Sequence, residues 1–238
     1  MSKQNSLKVL AIVPARGGSK GLPKKNLRPL CGRPLINWSI DTALACEEID
    51  VVVVSTDDTQ IAAVAAAAGA EVPFLRPPDL ANDTASSIDV VLHALDFLER
   101  NKRFFDVVLL LEPTSPLREV GDIQTALQRI ADMEASAVVS VCRAESAHPA
   151  FMFRIIEHDR LDPFLSLTPT GVRRQEIDPL FYLEGTLYAS TVASLREQRS
   201  FYHEGTMAYE VAKWKALEID DIWDFEMIEA IARYKGLA

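Results

Sequence analysis

The sequence has little of several features that assign proteins to common classes. Its 238 residues include only three cysteines, Cys31, Cys46 and Cys142, whose spacing fits neither a disulfide framework nor a metal site, which favours reduced thiols. No apolar run approaches the roughly 18 residues that cross a bilayer, and Met1 to Lys8 lacks the apolar middle of a signal peptide. We therefore expect a cytoplasmic protein with no membrane partner.

Positive charge is scarce outside the N-terminal segment. The net charge is −9, yet residues 1–46 hold eight Lys or Arg residues and a single acid, Asp41, which leaves 17 basic and 33 acidic residues for the rest. A nucleic-acid surface needs a broad positive face, so we do not expect a nucleic-acid partner. A basic segment on an acidic body instead suits a small polyanion held at one point.

Apolar runs and helix-spaced apolar residues alternate along the first 141 residues. Strands are predicted at 7–13, 51–54, 71–75, 106–111 and 135–141, with helices at 34–46, 58–69, 86–98 and 121–133. This alternation predicts a single α/β domain over 1–238 with a three-layer, mostly parallel sheet. Residues 143–185 break the pattern, which predicts a segment that leaves the sheet, here called the excursion. After it, strands are predicted at 186–190 and 209–219 and a last helix after Asp220 or Asp221.

Three polar turns follow predicted strands. They are the string IVPARGGSKGLPKKN after the first strand, Ser55-Thr56-Asp57 after the second, and Glu112-Pro113-Thr114-Ser115 after a later one. Ligands of parallel α/β sheets bind beyond the carboxyl ends of the strands. We therefore expect these turns to meet in one crevice.

The string IVPARGGSKGLPKKN concentrates positive charge in one turn. Gly17 and Gly18 allow positive φ and close approach of the backbone to a ligand, and successive amides in such a turn bind anions. Arg16 can fork onto phosphate oxygens, whereas Lys20 and Lys25 supply point charges. Neither G-x-x-x-x-G-K-[ST] nor G-x-G-x-x-G occurs in the string, which disfavours a P-loop kinase and gives no support to a dinucleotide fold.

Three segments, in this order, carry a resemblance to a known family: IVPARGGSKGLPKKN, RPPDLANDTASS and LLEPTSPLR. Together they resemble the cytidylyltransferases that activate nonulosonic acids, of which CMP-sialic acid synthetases are the best-known members. The resemblance, from about Val9 to Glu229, implies a nucleotide-diphospho-sugar transferase-like fold and a homodimer, with 143–185 as a dimerisation excursion. It also implies CTP and a nonulosonic acid as partners. The anomeric hydroxyl of the acid would attack the α-phosphorus and release pyrophosphate.

The resemblance assigns roles in the nucleotide site. Arg16 and Lys25 would stabilise the triphosphate and the leaving group, and together with Asp220 they are the expected catalytic residues. The nucleotide-binding residues that it implies are Ala15, Arg16, Gly17, Gly18, Ser19, Lys20, Lys25, Asn26, Arg76, Ala85 and Ser87. For Ser87, capping of the following helix is an equally good role.

The expected sugar-binding residues are Glu112, Thr114, Ser115, Arg174, Tyr182 and Glu184. The hydroxyls of Thr114 and Ser115 are expected to face the crevice. Glu112 stands where the sialic-acid enzymes usually have Gln, Tyr182 where they have Arg, and Glu184 where they have Asn. Since no departure falls in the triphosphate turn, we infer that the reaction is retained and the sugar differs, with legionaminic or another modified nonulosonic acid as the hypothesis.

Two acids near the C-terminus form the expected metal site. Glu218 and Asp220 are two residues apart, which places both carboxylates on one face if the segment is a strand. Paired carboxylates can hold Mg²⁺ while the ion bridges phosphate oxygens. The family pattern is two acids at this spacing, usually Asp-x-Asp, so Asp220 is the firmer ligand. Asp221 is expected to cap the last helix.

Other functions remain open from the sequence. By the resemblance, the segment RPPDLANDTASS reads the base through Arg76, Ala85 and Ser87. This base-reading loop alone excludes neither a CMP-Kdo synthetase nor an enzyme of this type that uses GTP. From another class, the chain could be a nucleotide-binding module without turnover. Lys25 and Asp220 disfavour such a module, because simple binding does not need a carboxylate pair for a metal.

Overall fold

A six-stranded sheet forms the centre of the computed structural model, which describes residues 7–132, 135–145, 148–165 and 177–237. The strands found there are β1 (Val9–Pro14), β2 (Pro29–Leu30), β3 (Arg33–Pro34), β4 (Val51–Ser55), β5 (Val107–Leu110), β6 (Ala137–Arg143), β7 (Phe153–Ile156), β8 (Arg160–Pro163), β9 (Phe181–Thr191) and β10 (Thr206–Glu210). The α-helices are α1 (Leu35–Leu44), α2 (Thr59–Ala67), α3 (Ser87–Arg100), α4 (Val120–Ala131), α5 (Val192–Gln198) and α6 (Ile222–Tyr234).

The central sheet has the strand order β10-β6-β9-β5-β1-β4. β1 pairs in parallel with β4 and β5, and β6 pairs in parallel with β10. Only β9 runs antiparallel to its neighbours, β5 and β6. The predicted mostly parallel α/β sheet is confirmed.

Alternation along the strands produces the predicted three layers. Successive side chains of a strand point to opposite faces of the sheet. Accordingly, Ala11 and Val13 join a buried cluster with α1, α2 and α4, whereas Leu10 and Ile12 join a second cluster with α3 and α5. Apolar contacts on both faces explain why the strands read as continuous hydrophobic runs.

Side-chain caps fix where the helices around the site begin. Asp58 accepts hydrogen bonds from two backbone amides at the start of α2, Ser86 caps α3, and Asp221 caps α6. Gly69, with φ of 98°, lies just after α2 and favours its termination. No helix in the described ranges has the length and apolar character needed to cross a bilayer.

The last helix packs beside the loop that follows β1. Phe225 and Ile228 of α6 share a buried cluster with Leu22, Leu30 and Ile219. This contact brings the C-terminal acids to the N-terminal basic loop. The sheet alone would not do so, because neither segment belongs to it.

Two predicted strands are wrong. Residues 71–75 make only an isolated bridge from Glu71 to Val53, because Pro73 has no N–H with which to continue the pairing. Of residues 209–219, only Tyr209 and Glu210 lie in a strand, the end of β10, and the segment after them is irregular.

The predicted excursion leaves the central sheet as expected but ends earlier. Its described part forms a hairpin of β7 and β8, and the chain re-enters the sheet at Phe181 rather than after residue 185. Large apolar side chains of this region are exposed, among them Phe153, Ile155, Leu161 and Phe164. The dimerisation role of the excursion stays a prediction, and Arg174 lies outside the described residues.

Candidate active site

A cleft of about 400 Å³ opens at the carboxyl ends of β1 and β5. Most of the residues expected to bind nucleotide or sugar line it, and they come from the loop after β1, the loop before α3, the turn after β5 and the segment before α6. Those lining residues are Arg16, Ser19, Lys20, Lys25, Asn26, Arg76, Ala85, Ser87, Glu112, Thr114 and Asp220. The predicted crevice is confirmed for the first and third polar turns. Ser55 and Thr56 of the second turn are instead fully buried and do not line it.

Arg16 and Lys20 carry the positive charge at one end of the cleft. Arg16 Nη1 lies 2.7 Å from one carboxylate oxygen of Asp83, and Lys20 forms an ion pair with the other oxygen. These two contacts hold the pKa of Asp83 below its usual range, and the hydrogen bond from Lys20 contributes most. Both cations therefore already have an anionic partner from the chain itself.

The double glycine acts through close approach rather than unusual backbone angles. Neither Gly17 nor Gly18 uses the positive φ that glycine allows. A Cβ on Gly17 would come within 2.8 Å of an Asp58 carboxylate oxygen, whereas nothing lies within 4 Å of one on Gly18. The Gly17 amide donates to Asp57 Oδ1 at 2.9 Å, which leaves it less free for a phosphate than predicted.

Ala15 and Asn26 support the backbone of this loop. Ala15 is buried in the cluster under α1, and its N–H donates to the Ser55 carbonyl at 2.9 Å. Asn26 is buried as well, and its side-chain amide donates to the Arg16 carbonyl at 3.0 Å. Both residues hold the backbone that carries Arg16.

Lys25 joins the N-terminal loop to the C-terminal acids. Its ammonium donates to the Ile219 carbonyl at 2.7 Å and lies 3.8 Å from Asp220 Oδ1. Burial lowers the pKa of Lys25, an effect that the charge of Asp220 partly opposes. Lys24, in contrast, is exposed to solvent.

Gly21 belongs to the site although the sequence reasoning missed it. A Cβ on Gly21 would overlap the backbone carbonyl oxygen of Asp220. Glycine therefore permits the contact between the two loops. The only signal in the sequence was a third glycine within the basic string.

The loop before α3 is held by Arg76. This arginine is buried, and it donates from Nε to Ser55 Oγ at 3.1 Å and from another guanidinium nitrogen to the Ser55 carbonyl. Burial lowers its pKa to about 10. Ser86, not Ser87, caps α3, which leaves the Ser87 side chain at the cleft. Contact of Arg76, Ala85 and Ser87 with a base stays a prediction.

Glu112 places an acid in the cleft after β5. Burial raises its pKa, although the nearby charge of Arg118 opposes the effect. Thr114 Oγ1 lies 3.5 Å from a Glu112 carboxylate oxygen and also lines the cleft. Arg118 is fully buried and donates to Ser39 Oγ and to the backbone carbonyls of Glu112, Gly185 and Thr186, so its role is structural.

Three of the expected sugar residues lie outside the cleft lining. The Ser115 hydroxyl is buried and has no hydrogen-bond partner among the described residues, so the expectation that it faces the crevice is wrong. Glu184 is buried on β9, where one carboxylate oxygen accepts from the Thr186 amide at 3.0 Å and the other has no partner in the part of the chain that the structure describes. Tyr182, on the same strand, is exposed. Their contact with a sugar stays a prediction.

The acids Glu218 and Asp220 belong to an irregular segment, not to a strand, and of the two only Asp220 lines the cleft. A carboxylate oxygen of Glu218 accepts from the Gly185 amide at 2.7 Å, and burial raises the pKa of Glu218. Asp220 is 86% exposed at its side chain and lines the cleft. Across the described ranges, no group of three or more His, Cys, Asp or Glu side chains is arranged to hold a metal. A metal here would rest on two carboxylates and on its substrate.

Comparison with known proteins assigns the family. The profile of the family described as Cytidylyltransferase matches residues 10–233, nearly the whole chain. The chain belongs to the cytidylyltransferase family.

Curated relatives of this cytidylyltransferase activate several sugar acids. CMP-N,N'-diacetyllegionaminic acid synthase of Legionella pneumophila is 42% identical over 84% of this chain and 85% of its own length. Pseudaminic acid cytidylyltransferase of Campylobacter jejuni is 30% identical over 94% of this chain and 96% of its own. N-acylneuraminate cytidylyltransferase of Streptococcus agalactiae is 34% identical over 92% of this chain, which spans only 52% of that longer relative.

Solved structures agree with the fold. A CMP:2-keto-3-deoxy-manno-octonic acid synthetase complexed with CTP superposes with a TM-score of 0.69 at 21% identity, covering 96% of this chain and 99% of the other. A 4-diphosphocytidyl-2C-methyl-D-erythritol synthase of Anaerococcus prevotii gives 0.65 at 12% identity, covering 96% and 100%. At these identities the likeness concerns the fold alone.

The contact between Gly21 and the Asp220 carbonyl predicts an intolerance to alanine. We expect Gly21→Ala to lower the free energy of unfolding by about 1–3 kcal/mol, the range for an overpacked site. Gly18→Ala is the matched control, because its Cβ would meet nothing within 4 Å, and it should leave stability unchanged or slightly raised. Urea unfolding of both variants measures the difference, and equal stabilities would contradict the contact.

The raised pKa of Glu112 predicts that this acid reduces stability. Its ionised form is disfavoured in the folded state, so Glu112→Gln should raise the free energy of unfolding at pH 8. The gain should shrink as the pH falls below the raised pKa of Glu112 and vanish below about 4.3, the ordinary glutamate value, where the wild-type group is neutral in both states. Urea unfolding across this range tests the sign. Glu226→Gln, at an exposed position of α6, is the control and should show no such gain.

Proposed function

We propose that this cytidylyltransferase transfers the cytidylyl group of CTP to the anomeric hydroxyl of a nonulosonic acid and releases pyrophosphate. The observation that carries the proposal is the meeting of Arg16, Lys20 and Lys25 with Asp220 in one cleft of a cytidylyltransferase chain. The identity of 42% to a legionaminic acid synthase supports a sugar of the legionaminic type.

The cleft suits this reaction through charge rather than covalent chemistry. The anomeric oxygen forms a bond to the α-phosphorus, the bond from that phosphorus to the bridging oxygen breaks, and pyrophosphate leaves on the opposite side. Positioning and charge neutralisation dominate such transfers. Arg16 and Lys20 are placed to bind phosphate oxygens. Lys25, held in place through its bond to the Ile219 carbonyl, offers its remaining protons to the leaving group.

Asp220 and Glu218 fit a magnesium ion in number and kind. Mg²⁺ usually takes one or two protein carboxylates together with substrate phosphates and water. The Asp220 carboxylate is exposed at the cleft, and Glu218 has one oxygen not engaged by Gly185. When bound, the ion would neutralise charge on the phosphates.

The acceptor side of the cleft is acidic. Glu112 would repel the carboxylate of a sugar acid but accepts hydrogen bonds from hydroxyl or amide N–H groups. A sugar that bears acylamino groups offers such donors. This chemistry agrees with the diacetylated sugar named for the Legionella relative.

A cytoplasmic homodimer completes the proposal. The hairpin of β7 and β8 exposes Phe153, Ile155 and Leu161 on an excursion from the sheet. Apolar surface of this kind on a soluble enzyme marks an interaction site. Its position supports the dimerisation role inferred from the family.

One assay tests the reaction and its alternatives together. The purified protein is incubated with Mg²⁺, each of the four nucleoside triphosphates, and sialic, legionaminic, pseudaminic or Kdo acid, while pyrophosphate release is followed. We expect release with CTP and a legionaminic-type acid, and its loss on chelation of the metal. Release with CTP and Kdo only, or with GTP, would overturn the substrate assignment. No release with any pair would favour a nucleotide-binding module.

Lys25 gives the sharpest mutational test of the mechanism. We expect Lys25→Met to lower kcat by about 10²–10³, the effect of removing one electrostatic donor from a comparable site. Lys24→Met is the matched control, since this neighbour is exposed and should keep normal turnover. Circular dichroism and urea unfolding confirm that both variants are folded. Normal turnover by a folded Lys25→Met enzyme would contradict the assigned role.

A further inference from the structure

Asp83 is an acid within the basic end of the cleft. One of its carboxylate oxygens lies 2.7 Å from Arg16 Nη1, and the other forms an ion pair with Lys20. Asp83 belongs to the loop before α3, whereas both cations belong to the loop after β1. The carboxylate therefore bridges two walls of the cleft.

This carboxylate occupies the cations that a phosphate needs. Carboxylate and phosphate oxygens accept the same charge-assisted hydrogen bonds from Arg and Lys. Hydrogen bonds from Lys20 and Arg16 lower the pKa of Asp83, so the group is a full anion at neutral pH. Asp83 thus engages hydrogen-bond donors of the kind that a polyphosphate would use.

Little else holds Asp83 in this position. Its neighbours Asn82 and Thr84 hydrogen-bond to each other, and Asn82 also donates to the Asp79 carbonyl, all within the loop. The Asp83 backbone makes no hydrogen bond to any residue that the structure describes. Its side chain is 42% exposed. The two ion pairs can therefore open without breaking a strand, a helix or a buried contact.

We propose that Asp83 is an internal competitor of the polyphosphate for Arg16 and Lys20. Its ion pairs open when the triphosphate binds and form again as pyrophosphate leaves. The inference rests on the proposed function for the identity of the anion. Asp83 then weakens the binding of nucleotide and product alike and helps the product depart.

Binding of pyrophosphate in the absence of sugar tests this competition directly. Isothermal titration calorimetry compares the wild-type chain with Asp83→Asn, which keeps the size of the side chain and removes its charge. We expect the variant to bind pyrophosphate about three- to tenfold more tightly, because two exposed ion pairs no longer have to open. The ratio should fall at high salt, which screens exposed charges. In turnover, pyrophosphate should inhibit Asp83→Asn at lower concentration than it inhibits the wild type.

A matched control lies four residues earlier in the same loop. Asp79 is exposed and has no ion pair to Arg16 or Lys20, so Asp79→Asn removes the same charge without freeing either cation. It should bind pyrophosphate as the wild type does. An equal gain in Asp79→Asn would assign the effect to net charge and overturn the inference.

The inference and the proposed function fail in different measurements. The competition is overturned if a folded Asp83→Asn protein binds pyrophosphate no more tightly than the wild type does, even if the wild type turns over CTP. The same holds if neither protein binds pyrophosphate. Conversely, a tighter variant supports the competition even if no sugar in the panel is accepted. Unfolding in urea confirms that each protein compared is folded.

Discussion

The hydrogen bond from Lys25 to the Ile219 carbonyl is the interaction on which the site depends. It joins residues that are 194 positions apart and lie outside the central sheet. Together with the close approach of Gly21 to the Asp220 carbonyl, it sets a cation 3.8 Å from an acid. At that separation the charges attract each other, yet the Asp220 carboxylate stays open to solvent. The loops can thus be fixed before substrate arrives.

A cationic cleft in a chain of net charge −9 needs local compensation. The structure supplies it with individual carboxylates: Asp83 faces Arg16 and Lys20, and Asp57 accepts from the Gly17 amide. Such partners limit repulsion among the bases when the site is empty. An incoming anion must therefore bind the cations more strongly than a single carboxylate does. A polyphosphate has several charged oxygens and meets that requirement, whereas a small monoanion does not.

Local patterns predicted the frame of this protein and failed where distant contacts decide the structure. Apolar runs identified the buried strands, and Asp221 was recognised as a cap, because these depend on near neighbours. The strand predicted at 71–75 was inferred from its apolar residues. In the structure it makes a single bridge, because Pro73 has no N–H to donate to the neighbouring strand. The contact of Gly21 with Asp220 was not predictable, since no pattern within the basic string indicates what packs against it. Likewise, the sequence does not reveal that the Ser115 hydroxyl lies against Gly185 of β9, where a Cβ would come within 2.7 Å of it.

The division of charge within the cleft bears on how a sugar acid is recognised. The cations that line it are Arg16, Lys20, Lys25 and Arg76, and the last of these is occupied by Ser55. On the acceptor side the lining offers Glu112, and the charge of Glu112 adds to burial in raising the pKa of Glu218. If Lys25 serves the phosphates, a sugar carboxylate meets acids unless another part of the molecule provides a cation. The family resemblance implies such a cation at Arg174, which belongs to the excursion. Recognition of the sugar is therefore expected to require the excursion, whereas recognition of the polyphosphate is not.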